Sequence, residues 1–194
     1  MRRSFSLVVG CCLFVMAGGA GCQYFSPPKV VETPKAVSPA LADGQKAARQ
    51  YLAADLMDYE LVWKLYDLDP KLRPAFLDGF VEEVTKAGFP TRGSESRALL
   101  EEAIGGTQFQ TASDLGSRHA ARSVTNEQVQ GVIRSSLGVS RGVAVGWKAG
   151  YVRGFAAWRL ADAARTGTVN EATIHRFHQE AATTYQALRA AVGQ

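Results

Sequence analysis

Gly138-Val139-Ser140-Arg141-Gly142-Val143-Ala144-Val145-Gly146-Trp147-Lys148-Ala149-Gly150-Tyr151-Val152-Arg153-Gly154-Phe155 places a glycine at every fourth position. Each glycine in a helix interior costs about 0.8–1.0 kcal/mol relative to alanine. A helix carrying such a row needs compensation, and the close approach of another backbone supplies it. Val143, Trp147, Tyr151 and Phe155 run beside the row at the same spacing, so a groove lies alongside a ridge. The stretch predicts a central helix. Gly142, Gly146, Gly150 and Gly154, with Trp147, Tyr151 and Phe155, are its expected packing or interaction surface.

Helical spacing recurs outward from this segment, and the alternation of strands does not appear. Leu52, Leu56, Tyr59, Trp63 and Tyr66 form one stripe and predict a helix over 44–67. Asp69-Pro70 reads as N-cap and first turn of the next helix, with Pro74 as the alternative start. Phe76, Phe80, Val84 and Ala87 are its expected buried face, ended by Gly88 and Pro90. A looser helical region follows, divided at Gly105-Gly106. Thr125-Asn126-Glu127-Gln128 predicts a capping box for a helix running to Leu137. Thr168-Val169-Asn170-Glu171 predicts another, opening a terminal helix that buries Ile174, Phe177, Ala181, Tyr185, Leu188 and Val192. The expected fold is all-α, a compact bundle of about five to seven helices around the glycine-rich one.

Phe76-Leu77-Asp78-Gly79-Phe80 and Tyr151-Val152-Arg153-Gly154-Phe155 share one pattern 75 residues apart. Ala47-Ala48-Arg49 and Ala120-Ala121-Arg122 lie at a similar separation. Chance similarity between glycine-bearing helices is the simpler account, and an internal duplication the alternative.

The N-terminus carries an address. Met1-Arg2-Arg3 is a positive start, Leu7 to Met16 a short apolar run, and Ala17 to Gly21 a stretch of small residues, the anatomy of a signal peptide. Gly19-Ala20-Gly21-Cys22 resembles the bacterial lipobox, with Gly19 where that pattern has an aliphatic residue. The resemblance implies a signal peptide over 1–21 and acyl chains of the palmitate kind on Cys22, enough for stable anchoring. Gln23 is not the Asp that, by the same resemblance, favours retention at an inner membrane. The expected location is the cell envelope, at the outer membrane where there are two. Cleavage after Ala20, giving a soluble secreted chain, is the alternative. Pro27, Pro28, Pro34 and Pro39 are four of the seven prolines. Residues 22–42 are thus expected to be anchor and extended tether, reaching on the order of 60 Å at about 3.1 Å per residue. Residues 43–194 form the expected helical domain.

Composition narrows the functions. Without Arg2 and Arg3 the chain holds 20 basic and 18 acidic side chains, a net charge of +2. That is no footprint for nucleic acid. Residues 41–104 carry 12 acidic and 8 basic groups and residues 105–194 carry 5 and 10, so complementary faces are expected to meet within one fold. A basic surface for anionic lipid or polymer, or head-to-tail self-association, is the other reading. Cys11, Cys12 and Cys22 are the only cysteines, so the domain has neither disulfide nor thiolate metal site.

The glycine row also resembles the glycine zippers of some bacterial envelope lipoproteins, which implies tight packing or membrane association. Lys148 and Arg153 inside it, and Arg141 and Arg159 flanking it, oppose insertion, at roughly 2.5–3.5 kcal/mol each near a bilayer centre. Gly138-Val139-Ser140-Arg141-Gly142 matches the G-x-S-x-G elbow, with Asp162 and His175 in hydrolase order, but that motif needs a strand before its serine. Glu171, His175 and His178 share a helix face at ligand spacing, and a structural histidine is the simpler reading of His178. His119 stands near Asp114 without a pattern, and Glu82-Glu83 and Glu101-Glu102 read as solvated faces. The sequence predicts no catalytic residue, metal or cofactor. It predicts a membrane-tethered domain whose partner is an envelope protein or a second copy of itself, with a hydrolase or metal enzyme and a membrane-associated zipper oligomer as alternatives.

Overall fold

The computed structural model describes residues 38–167 and 169–193. Among them are eight helices and no strand. They are α1 (Pro39–Leu52), α2 (Asp58–Asp67), α3 (Arg73–Lys86), α4 (Pro90–Ile104), α5 (Gln108–Ala120), α6 (Asn126–Ser135), α7 (Arg141–Arg165) and α8 (Glu171–Val192). The all-α class is as expected, with one helix more than the range read from the sequence. The leader, Cys22 and the tether up to 37 lie outside the described residues. Pro39, counted with the tether, is instead the first residue of α1.

The additional helix comes from a break inside 44–67. Ala54 sits in the left-handed region at φ +60°. Asp55 N–H donates to Gln50 O at 2.8 Å and Ala54 N–H to Tyr51 O at 3.2 Å, which closes a Schellman turn. Leu56 is buried beneath that turn, so the apolar stripe continues although the helix does not. At the next junction Asp69 does not start a helix. Its carboxylate accepts from Lys71 N–H at 2.9 Å in a local turn. α3 begins at Arg73, with Pro74 in its first turn. The Arg73 guanidinium caps α2 by donating to Leu65 O at 3.1 Å and Tyr66 O at 2.7 Å.

Three smaller expectations also change. Gly138 is not in the glycine helix: it turns the chain at φ +88°, and α7 starts at Arg141. The cap of α8 is Asn170, whose Oδ1 accepts from Thr173 N–H at 2.9 Å, while Thr168 lies outside the described residues. Ala87 and Ile174 are exposed, so those stripes span Phe76 to Val84 and Phe177 to Val192, the last of these partly buried against the core. The Thr125 capping box is present: Thr125 N–H donates to Gln128 Oε1 at 2.8 Å and Gln128 N–H to Thr125 Oγ1 at 3.4 Å.

The longer of the two sequence matches acquires a common geometry, whereas the shorter does not: Ala47-Ala48-Arg49 lies inside α1, and Ala121 and Arg122 lie past the end of α5. α1 crosses α3 so that a Cβ on Gly44 would lie 2.8 Å from the Phe76 carbonyl carbon. One on Gly79 would lie 2.9 Å from that of Leu41. α5 crosses α7 in the same way: Gly116 faces Tyr151, at 3.0 Å, and Gly154 faces Ser113, at 2.6 Å. Neighbouring details repeat as well. The Schellman turn ending α1 recurs after α5, with Arg122 at φ +57° and Ser123 N–H donating to Arg118 O. Glu60 reaches back to Met57 N–H at 2.9 Å, as Gln128 does to Thr125. Leu56, Leu61 and Leu65 are buried around α2, and Val124, Val129 and Ile133 stand at the same steps around α6. The helices touch in the same pairs in each half: first with third, third with fourth, second with fourth. One four-helix arrangement occurs twice.

A single hydrophobic core runs through both halves, from Ala47 to Leu188. α7 joins them, packing on α5 and α8 of its own half and on α2 and α4 of the other. Tyr151, Val152 and Ala149 on it are fully buried. Trp63 of α2 donates its indole N–H to Ala149 O at 2.7 Å across the junction. The Arg153 guanidinium pairs with Asp67 at 2.6 Å and lies over the Tyr66 ring at 5.5 Å. The charge division between the halves is thus partly used inside the fold.

Candidate functional site

The glycine row of α7 faces the chain's own helices. Gly146 lies under the Ala103 carbonyl of α4, Gly150 under that of Phe109 and Gly154 under that of Ser113 on α5. Gly142 packs against the Glu102 side chain. All four glycines are buried, as are Tyr151 and Phe155, and Trp147 is half-buried against the core. These residues build the interior of the domain. No helix among the described residues is long and apolar enough to cross a membrane.

The residues of the hydrolase pattern do not converge. Ser140 is the N-cap of α7: its Oγ accepts from Val143 N–H at 3.3 Å and donates to the Glu102 carboxylate. Asp162 stands near the far end of the same helix, so some 22 residues at 1.5 Å each put it on the order of 33 Å away. There it pairs with Arg165 at 3.7 Å. His175 is exposed, with its Nε2 2.8 Å from the Gln179 side-chain nitrogen. The triad cannot form.

Glu171 and His175 are exposed on α8, and His178 turns inward, its ring 4.9 Å from that of Trp63 at an edge-on angle. Burial holds the His178 imidazole below its ordinary pKa, against the Glu60 carboxylate, with His175 acting in the same direction as burial. No group of three His, Cys, Asp or Glu side chains among the described residues is arranged to hold a metal ion. His119 has a definite place that the sequence did not indicate. Its Nε2 bonds Asn126 Oδ1 at 2.8 Å and its Nδ1 bonds the Tyr151 hydroxyl. The imidazole therefore donates to the amide oxygen and accepts from the phenol. Burial, then the neighbouring Tyr185, raises the Tyr151 phenol well above its usual value. The paired glutamates are also more engaged than solvated faces. Glu82 binds Lys86 and Gln45, Glu83 binds Arg49, Glu101 binds Arg97, and Glu102 holds Ser140.

The concavity with the most convergent polar chemistry lies in the first half, where α1 ends and α2, α4 and α7 begin. Its volume is about 440 Å³, within the range of small-ligand sites. Leu61, Leu99 and Leu100 form an apolar floor, and Arg92, Arg141, Asp58 and Glu95 bring two charges of each sign to the rim. The Arg92 guanidinium lies over the Tyr51 ring at 5.6 Å and the Phe89 ring at 5.8 Å. Burial first, then the Asp58 carboxylate, pushes the Tyr51 phenol up, while Arg92 opposes. Neither Arg92 nor Arg141 has a carboxylate within ion-pair distance among the described residues, unlike Arg49, Arg97 and Arg153.

The second half has a more open counterpart between α6 and α8, lined in part by Asn126, Arg176 and Glu180. Asp58 and Asn126 are each the first residue of their helix, and Tyr51 and His119 each the penultimate residue of theirs. None of the first cleft's polar residues was legible as a site from sequence, because Tyr51, Asp58, Arg92 and Arg141 come from four helices with no shared spacing. Comparison with protein families, with curated proteins and with solved structures finds no match for this chain.

Proposed function

We propose that this chain is an exported lipoprotein, acylated at Cys22 and held at the envelope membrane, whose helical domain binds an envelope protein partner without catalysing a reaction. The observation that carries the reading is the leader: a basic start, a short apolar run and small residues up to Cys22, followed by a proline-rich stretch. A lipidated N-terminus with a tether of on the order of 60 Å lets a folded body work away from its bilayer. Two further observations support a binding role. The candidate nucleophile caps α7 against Glu102 and the candidate acid pairs with Arg165 some 22 residues along the same helix, and the polar side chains that do converge line a recess with an apolar floor.

Mass spectrometry of the N-terminal peptide from cells tests the anchor. Acyl chains on residue 22 are expected, and a Cys22→Ser variant should leave the membrane fraction. An unmodified Cys22 in the mature chain overturns the anchor. Crosslinking in cells tests the binding role. Capture of a defined envelope protein by the wild-type chain is expected, and capture of none overturns it.

A further inference from the structure

We propose that the cleft between α2, α4 and the first turn of α7 binds the free carboxyl terminus of a polypeptide. Arg92 and Arg141 take the terminal carboxylate, the leucine floor takes the last side chain, and Asp58 and Glu95 accept from the ligand's backbone N–H groups. The inference rests on the binding role proposed above and names where on the domain the partner's end would dock.

The chemistry of the cleft selects this ligand over others. Arg92 and Arg141 come from different helices, lie on one recess and have no carboxylate partner among the described residues. Both sit in the first turn of their helix, where a cation opposes the helix dipole. Folding alone does not favour them there. A carboxylate on the ligand would be held by charge-assisted hydrogen bonds, which a guanidinium makes in pairs. A bare inorganic anion would leave the leucine floor in water. A fatty acid would cover the floor but make no use of Asp58 and Glu95 on the rim. A chain end has all three features: a carboxylate, a side chain directly beside it, and N–H groups one and two residues back. The cleft's volume of about 440 Å³ suits its last few residues.

The test is titration of the exported chain with an N-acetylated tripeptide ending in leucine, beside the same peptide as its C-terminal amide. The free acid should bind with amide-resonance shifts at Tyr51 and Ser96. The amide should bind about ten- to hundredfold more weakly, the loss of hydrogen bonds to a charged group. Arg92→Gln and Arg141→Gln should each weaken the acid about tenfold, and the double variant should abolish the difference between acid and amide. No binding of the acid, equal binding of acid and amide, or shifts confined to other surfaces overturns the proposal. So does laurate binding as tightly as the peptide. The wild-type shift map reads the site even where a variant fails to fold. These titrations use no cellular partner, so their failure is distinct from a failure of crosslinking.

Discussion

Gly154→Ala tests the account of how the helices are held together, and the structure gives its sign against local preference. In an isolated helix the change should stabilise by about 0.8–1.0 kcal/mol. Here the new Cβ would lie 2.6 Å from the Ser113 carbonyl carbon and 2.9 Å from its Cα. Carbon atoms pack comfortably at about 3.5–4.0 Å, so α5 must retreat by roughly 1 Å. The obstruction is backbone, which no side-chain rotation can relieve. Overpacking of this kind costs about 1–3 kcal/mol, and more where the backbone must move. Taking the upper end and subtracting the helix gain leaves a net loss of about 2 kcal/mol.

Gly131 on α6 is the control. It is exposed, and an added Cβ there meets nothing within 4 Å. Gly131→Ala should therefore stabilise by the full propensity gain. In a domain of this size 1 kcal/mol moves Tm by roughly 2–4 °C. Thermal unfolding followed by circular dichroism should show Gly154→Ala falling by roughly 4–8 °C and Gly131→Ala rising by roughly 2–4 °C. Gly79→Ala, against the Leu41 carbonyl carbon at 2.9 Å, should fall like Gly154→Ala, because it occupies the same place in the first half. A Gly154→Ala protein that melts at or above the wild-type temperature would refute the close backbone crossing, and with it the reason offered for the glycine row.

Ala54 and Arg122 occupy left-handed positions at φ +60° and +57°. Ala54→Gly and Arg122→Gly should each stabilise by about 0.5–1 kcal/mol, the relieved backbone strain less the extra freedom of glycine in the unfolded chain; calorimetry showing a loss at both would contradict the Schellman turns. The His178 pKa is lowered in the fold, so the unfolded chain binds the proton more readily. The contribution to stability is present above the unfolded imidazole pKa of about 6.5 and is lost as pH falls through the folded value. Denaturant midpoints should fall more steeply between pH 7 and pH 5 for the wild type than for His178→Gln; identical slopes would remove the burial argument.

The sequence makes the central helix legible because a four-residue glycine row has few causes, and glycines that recur at contact spacing point to close packing. It also makes visible the breaks that glycine marks: Gly88 ends α3 and Gly105-Gly106 divides α4 from α5. The break at 53–57 is illegible for a physical reason. Ala54 takes a left-handed position that glycine usually fills, and Leu56 packs under the turn at the next step of the stripe. Periodicity reports which residues are buried, and a Schellman turn can keep that period while the helix stops. Gly138 misleads in the opposite sense, since it falls on the four-residue register by position yet serves as a turn. The cleft was beyond reach because contacts between the ends of four helices leave no spacing in the chain, whereas Ser140, Asp162 and His175 form a pattern in order that one long helix pulls apart.

The two halves are not equivalent, and the difference accounts for the cleft. With Gly79 matched to Gly154, Arg73 at the start of α3 corresponds to Lys148, so α7 begins seven residues, or two turns, earlier than its counterpart. Those added turns carry Gly142 and Gly146, which seat α7 against Glu102 and Ala103 of α4. Glu102 in turn receives the Ser140 hydroxyl, so a carboxylate lies at the positive end of α7 and fixes where that helix starts. The first residue after the cap is Arg141, and it is thereby delivered to the rim of the first-half cleft. α3 has no such extension, and its first turn ends against α2 through Arg73. The extension that joins one half to the other is also what completes a two-arginine recess in only one of them. Gly146→Ala should therefore do more than lower stability: by displacing α7 from α4 it should weaken carboxylate binding at a cleft to which Gly146 itself contributes no atom.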